Sequence, residues 1–339
     1  MPSAAIYDSE GPRLSDEERA FFKDVDPLGF IVFARHCASA DDLKAHCDEL
    51  REAVGREDAP ILIDQEGGRV ARMKPPVFPA HVPPAAFGEL WRLDPAKAKE
   101  AIRLNAYLLA RMISDSGVTI NCAPMLDVPQ MDADPAVIGD RACAKHQDII
   151  ASLGREVIDG TFDGGALPVI KHLPGHGRAI CDSHYELPRV SARKEDLRAV
   201  DFAPFQALSD AMMGMTGHVV YEAYDHDRPA TLSSVIIEEV IRGEIGFDGL
   251  LFTDDLRMQA LSGDVASRIS GAFDAGCDIA LCCNFTFEEK KQSVTALRAL
   301  AGKAQARTSR AMAQLKPAAA QSLEPDYQKL AQLLKPVLA

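Results

Sequence analysis

A chain of 339 residues, 47% of them hydrophobic and 26% charged, is long enough for two domains or one large α/β barrel, and its composition excludes a disordered polypeptide. The formal net charge of −13 and the lack of any Lys/Arg cluster argue against nucleic acid or an anionic membrane as a partner. The eight cysteines show no CxxC and no zinc spacing, no basic-then-apolar leader opens the sequence, and no run of about eighteen apolar residues occurs, so a soluble cytoplasmic protein in a reducing compartment is expected.

Short apolar runs recur along the chain at Ala4–Tyr7, Phe30–Ala34, Ile61–Asp64, Val118–Asn121, Leu167–Lys171, Gly214–Gly217, Leu250–Asp254 and Asp278–Cys282. Helical patterns lie between them with their own start and stop signals. Ser15 has Glu18 three residues on, Asp94 precedes Pro95, and Gly276 ends the pattern begun near Asp264. Eight strand-like runs alternating with helices predict an α/β fold, a single (β/α)8 barrel, because eight is the count at which a parallel sheet closes on itself. An open doubly wound sheet is the alternative, but its Gly-rich first turn is absent. Helical composition continues after Cys283 through Leu315, and a Pro/Ala/Ser break precedes a last amphipathic helix from about Asp326 to Leu334. Residues 1–339 are therefore expected to form one catalytic domain, with 316–339 a helical tail packed on the barrel wall.

In a closed parallel barrel, side chains at the carboxyl ends of different strands converge on one mouth. The third run ends in Asp64-Gln65-Glu66-Gly67-Gly68-Arg69-Val70-Ala71-Arg72, a rim carboxylate and a tight turn that brings Arg72 beside it. An ion pair that pins the loop and a ligand-binding pair fit this stretch equally. The fourth run leads to Asp127, read as a residue that holds loops together, and Arg141 follows in Ile138-Gly139-Asp140-Arg141. The stretch Ala166–Pro188 is the densest in chemistry. A buried strand ends at Lys171 and His172, and Pro174, Gly175 and Gly177 then impose a loop that carries His176, Asp182 and His184. Asp182 and His184 stand two residues apart, the spacing that lets a carboxylate orient an imidazole able to alternate between acid and base. His218 at the end of the sixth run reads as a hydrogen-bonded neighbour. Asp254 is the first charge after Leu250-Leu251-Phe252-Thr253. Because consecutive strand residues face opposite ways, Asp254 and Asp255 cannot both face one pocket: one is a candidate nucleophile and the other is expected to cap the following helix.

The motifs IDQEGGRVAR, NCAPMLDV, IGDR, KHLPGHG with DSH, TGHVVY, PATLS and GFDGLLFTDDLRM, spread from about Phe30 to Met258, resemble glycoside hydrolase family 3, specifically the compact β-N-acetylglucosaminidases of bacterial cell-wall recycling. The resemblance implies a single (β/α)8 barrel and a retaining exo-hydrolysis of terminal N-acetylglucosamine from muropeptides of the GlcNAc-1,6-anhydroMurNAc type. Asp254 would attack the anomeric carbon, and His184, oriented by Asp182, would serve as general acid and base. Asp64, Arg72, Arg141, Lys171 and His172 would hold the sugar. It implies no cofactor and no metal, and the partner is a small carbohydrate bound by a monomer. The chain departs from the family pattern at Arg178-Ala179-Ile180-Cys181 and at Ala142-Cys143. Sugar transfer to phosphate is a related activity, because a neutral imidazole base repels an incoming anion less than a carboxylate does. Two further readings compete: a metal-dependent barrel hydrolase built on His172, His176, Asp182, His184, His218 and Asp254, and a sugar-binding protein without catalysis.

Overall fold

The eight apolar runs become eight parallel strands among the described residues: β1 (Ser3–Tyr7), β2 (Pro27–Val32), β3 (Ile61–Ile63), β4 (Ile120–Asn121), β5 in two pieces (Leu167–Pro168 and Ile170–Leu173), β6 (Met213–Thr216), β7 (Leu250–Phe252) and β8 (Ala280–Cys282). The computed structural model describes every residue except Asp132, Asp182, His184, Tyr185 and Ala339. Hydrogen bonding runs β8-β1-β2-β3-β4-β5 in one sheet and β5-β6-β7 in a second, with the two pieces of β5 forming one seam. At the other seam Phe252 bridges Ile279 in parallel, Thr253 N donates to Ile279 O at 3.0 Å, and Ile279 N donates to Leu251 O at 3.1 Å. The two sheets thus join edge to edge in a (β/α)8 arrangement.

Helices return the chain between strands, and local sequence explains where they begin. Ser15 and Glu18 form the capping box that starts α1 (Asp16–Val25), and Ser39 caps α2 (Ala40–Val54). After α3 (Ala85–Leu93), Asp94 accepts from the amides of Ala96 and Lys97 at 3.1 Å while Pro95 opens α4 (Pro95–Asp115). Then come α5 (Gln147–Asp163), the helical stretch 194–207, the π-helix Val235–Glu244 and α6 (Val265–Ala275), which Asp264 caps and left-handed Gly276 ends. Among the described residues no helix is long and apolar enough to cross a membrane.

The apolar strand residues lie between the barrel interior and the helices. Ile6, Phe30, Leu62, Ile120, Leu167, Leu251 and Ala280 are buried there, and the rings of Phe22 on α1 and Phe30 on β2 meet edge-on at 5.0 Å. Seven of the eight cysteines are buried in this shell.

Two expectations need correction. The second strand starts at Pro27 and stops at Val32, and Ala34–His36 form a 3-10 turn instead of continuing it. The segment after Cys283 is not continuously helical to Leu315. Between α7 (Phe287–Ser293) and α8 (Gly302–Met312) the chain extends, Ser3 pairs antiparallel with Ala299, Ala4 N donates to Arg298 O at 2.8 Å, and Leu300 N donates to Pro2 O at 2.8 Å. Pairing with the start of β1 overrides the helical composition there. The last helix, α9 (Glu324–Leu334), lies against α4, with Lys329 Nζ 2.6 Å from a Glu100 carboxylate oxygen and Arg111 Nη1 donating to Ala319 O at 2.7 Å.

Close strand packing makes Gly29 a test of this architecture. A Cβ there would sit 2.2 Å from Pro60 O, a backbone atom that cannot swing aside. Gly29→Ala is expected to cost about 1–3 kcal/mol through overpacking, read as a lower urea midpoint with the barrel retained.

Candidate active site

All strands run parallel, so their carboxyl ends share one face, and there a cavity of about 240 Å³ opens. Its wall includes Asp64, Arg72, Arg141, Lys171, His172 and Asp254, which are the six described members of the predicted site. The other two, Asp182 and His184, lie outside the described residues. Arg69, His176, Ser183, Met215 and Met258 complete much of the lining.

Five side chains of alternating charge form the wall's frame. Arg72 Nη2 donates to Asp64 Oδ2 at 3.0 Å, and Lys171 Nζ donates to Asp64 Oδ1 at 2.9 Å. Lys171 Nζ also lies 2.7 Å from Glu66 Oε1. Glu66 in turn receives Arg141 through two bonds, Nη2 to Oε1 at 2.8 Å and Nε to Oε2 at 3.0 Å. The two possibilities for Asp64 and Arg72 therefore coincide: they form the pair that pins the loop, and both face the cavity. Burial by itself would neutralise Asp64 and Glu66, but Lys171 with Arg72 on one and Lys171 with Arg141 on the other outweigh it. Asp64 is held far below the usual carboxylate range and Glu66 at about 2. Burial would also strip the proton from Lys171, yet Asp64 and Glu66 raise its affinity for it.

Gln65 faces the other way and fixes the turn. Its Oε1 accepts from the amides of Arg72 and Met73 at 2.8 and 3.0 Å, and Asn121 brackets its backbone through Oδ1 and Nδ2 at 3.0 Å each. The Phe33 ring lies between two guanidiniums, Arg35 at 4.8 Å and Arg72 at 5.5 Å.

Asp127 is buried behind this wall, as expected of a residue that ties loops together. Its Oδ2 pairs with His172 Nδ1 at 2.7 Å, while Oδ1 accepts from the amides of His172 at 3.3 Å and His176 at 2.6 Å. Burial pushes this carboxyl up, but the His172 imidazole and the His176 contacts prevail and hold it at about 2. For His176, burial and the neighbouring His172 lower the imidazole to about 4, so it is neutral near pH 7. The loop's first turn is pinned further: Tyr221 donates to Gly175 O, Gln130 N donates to Gly177 O at 3.0 Å, and Arg178 Nε donates to Asp201 Oδ2 at 2.7 Å. A Cβ on Gly177 would meet Val128 O at 2.0 Å, so only glycine lets these two loops approach.

Asp254 and Asp255 separate as strand alternation predicts. Asp254 lines the cavity. Burial raises its carboxyl, but His172, His218, the Asp255 amide and Lys171 together bring it below its ordinary value. Asp255 is anchored by Asn284 Nδ2 at 2.7 Å and by the Arg257 amide at 2.8 Å, and burial raises it to about 6. It therefore closes a turn and does not cap the next helix, a task that falls to Asp264. His218 is the expected neighbour, with Nδ1 2.8 Å from Thr231 Oγ1 and Nε2 2.9 Å from Asp255 O. Among the described residues no three His, Cys, Asp or Glu side chains converge as a metal-ligand set.

The residue that sequence reasoning passed over is Glu66. The signal was the spacing, since residues 64 and 66 share one side of an extended segment. What sequence could not supply was their joint cation, Lys171, from a strand over a hundred residues away.

Asp127 yields a pH test. Its folded affinity for the proton is depressed, so its contribution to stability is present above the ordinary aspartate value of 3.8 and is lost as pH falls through about 2. Asp127→Asn is expected to be less stable than the parent at pH 7 yet to lose less stability between about pH 5 and pH 2, measured by urea unfolding across that range.

Comparison with known proteins places this site in a family. The model described as the glycosyl hydrolase family 3 N-terminal domain matches residues 4–318. A beta-hexosaminidase of Alkalilimnicola ehrlichii is 39% identical over 279 residues, covering 81% of this chain and 79% of the relative, and one of Thiobacillus denitrificans is 36% identical over 285 residues, covering 82% and 77%. The crystal structure of native NagZ from Neisseria gonorrhoeae superposes with a TM-score of 0.87 at 27% identity, covering 100% of this chain and 98% of that one. The same protein has been crystallised with N-trifluoroacetyl-D-glucosamine. With the family model matched over residues 4–318 and relatives 39% and 36% identical over 81% and 82% of its length, this chain belongs to glycosyl hydrolase family 3.

Proposed function

We propose that the protein is a retaining exo-β-N-acetylglucosaminidase that removes terminal N-acetylglucosamine from cell-wall muropeptides of the GlcNAc-1,6-anhydroMurNAc type, acting in the cytoplasm as a monomer during peptidoglycan recycling. The observation that carries this reading is Asp254: a carboxylate held ionised at a strand tip, open to a cavity whose other wall is a frame of arginine, lysine and carboxylate groups. The similarity to proteins called beta-hexosaminidase, and to one crystallised with an N-acylated glucosamine, supports the choice of sugar.

The chemistry follows from what each group can do. Sugar hydroxyls are both donors and acceptors, so a wall that presents Arg72, Asp64, Lys171 and Arg141 meets a pyranose ring with complementary partners. His172, its Nδ1 occupied by Asp127, presents its other edge to the cavity. In this scheme Asp254 attacks the anomeric carbon as positive charge develops there and forms a covalent glycosyl ester. His184, oriented by Asp182, gives a proton to the leaving oxygen and then takes one from the water that releases the sugar. In sequence these two residues follow the turn that Asp127, Tyr221 and Asp201 fix. We read residues 1–339 as one catalytic domain, with 316–339 a helical tail packed on the barrel.

Incubation with a slow fluorinated N-acetylglucosamine analogue, followed by peptide mass spectrometry, is expected to find the sugar on Asp254. A label on another carboxylate sinks the assignment. Asp254→Asn is expected to lower kcat on an aryl N-acetyl-β-glucosaminide at least about a thousandfold without unfolding the protein. The released product is expected to be the free sugar in phosphate and non-nucleophilic buffers alike.

A further inference from the structure

Glu66 does not line the cavity that holds Asp254 but stands behind its wall, where it borders a smaller, mostly apolar hollow with Phe87, Ile102 and Leu109. Its side chain is buried to 2% exposure, and both oxygens are committed: Oε1 to Lys171 Nζ and Arg141 Nη2, Oε2 to Arg141 Nε. The cations it holds do face the cavity. A guanidinium carries five N–H bonds in a fixed plane and an ammonium three. Arg141 gives two bonds to Glu66 and one to Val137 O at 3.2 Å, and Lys171 gives one each to Glu66 and Asp64. Each cation is thus clamped from behind with donors to spare.

We propose that Glu66 is a positioning residue of the glycoside site, whose buried carboxylate sets Lys171 Nζ and the Arg141 guanidinium so that their remaining donors meet the hydroxyls of the bound sugar. This rests on the reading of the cavity as an N-acetylglucosamine site. Two physical features make the carboxylate irreplaceable. It is the one group of the frame that touches both Lys171 and Arg141, so without its charge the buried ammonium and the half-buried guanidinium repel each other with no anion between them. It also offers only acceptors, whereas the isosteric amide of glutamine must turn an N–H toward either Arg141 or Lys171, both of which only donate.

The test compares the parent with Glu66→Gln and Glu66→Asp on an aryl N-acetyl-β-glucosaminide, with N-acetylglucosamine affinity measured by calorimetry and folding by thermal melting. For Glu66→Gln, KM and the N-acetylglucosamine Kd are expected to rise together by about tenfold or more while kcat changes less than about threefold, because the lost contacts serve ground and transition states alike. A purely structural role would lower the melting temperature and leave KM of the folded enzyme in place. A folded Glu66→Gln with KM and Kd within about twofold of the parent overturns the proposal. If Glu66→Gln does not fold, Glu66→Asp decides: it keeps the charge but draws it back by one methylene, and a KM raised about threefold or more supports the proposal while an unchanged KM overturns it. A parent that neither binds N-acetylglucosamine nor cleaves the aryl glycoside sinks the reading of the site and this assignment with it. A parent that does both, with both variants unaltered, sinks the assignment only.

Discussion

Lys171 is the constraint on which the site depends. A lysine on an inner strand with 2% of its side chain exposed would ordinarily shed its proton, since taking an ammonium out of water costs several kcal/mol. It stays charged because Asp64 and Glu66 approach it at 2.9 and 2.7 Å from the neighbouring wall. Those carboxylates are stabilised in turn by Arg72 and Arg141. Lys171 and Glu66 are the buried members, and removing the partner of either strands a charge at a cost of about 3–5 kcal/mol. The chain runs from the turn after β3, through β5, to the irregular stretch after β4, so the frame is complete only when two loops and a strand have met.

A second, smaller hub governs the loop after β5. Asp127 uses one oxygen for the His172 ring and the other for two backbone amides, so the imidazole orientation and the loop's departure angle are set by one carboxylate. Gly177 is required by the same contact, because Val128 O occupies the space a side chain would need. Arg178, on the same loop, is tied to buried Asp201. Burial pushes the Asp201 carboxyl up to about 6 even with the Arg178 guanidinium beside it as counter-charge.

Asp254 and Asp255 show how adjacent, chemically identical side chains acquire different tasks. The first opens on the cavity and is kept ionised by imidazoles, an amide and a lysine. The second turns away to Asn284 and a backbone amide, with a raised affinity for its proton. The difference arises from which way each points off the end of β7, and from nothing in the residues themselves.

Much of this was legible in the order of residues. Local physics sufficed for the eight strand-like runs, for the helix signals at Ser15, Asp94 and Gly276, and for the separation of Asp254 from Asp255, because periodicity and capping involve only near neighbours along the chain. Polar residues at or just after strand ends pointed to Asp64, Arg72, Lys171 and His172, and Arg141 joined them through the family resemblance. Tertiary structure decided the rest. That Asp64 and Glu66 share one lysine, that Asp127 serves two histidines, and that the chain near Ala299 leaves its helical pattern to pair with Ser3 all depend on groups brought together from distant parts of the sequence. Charge and hydrogen-bond complementarity act across space, and no spacing rule within one segment can report a partner that only the closing of the barrel brings into reach.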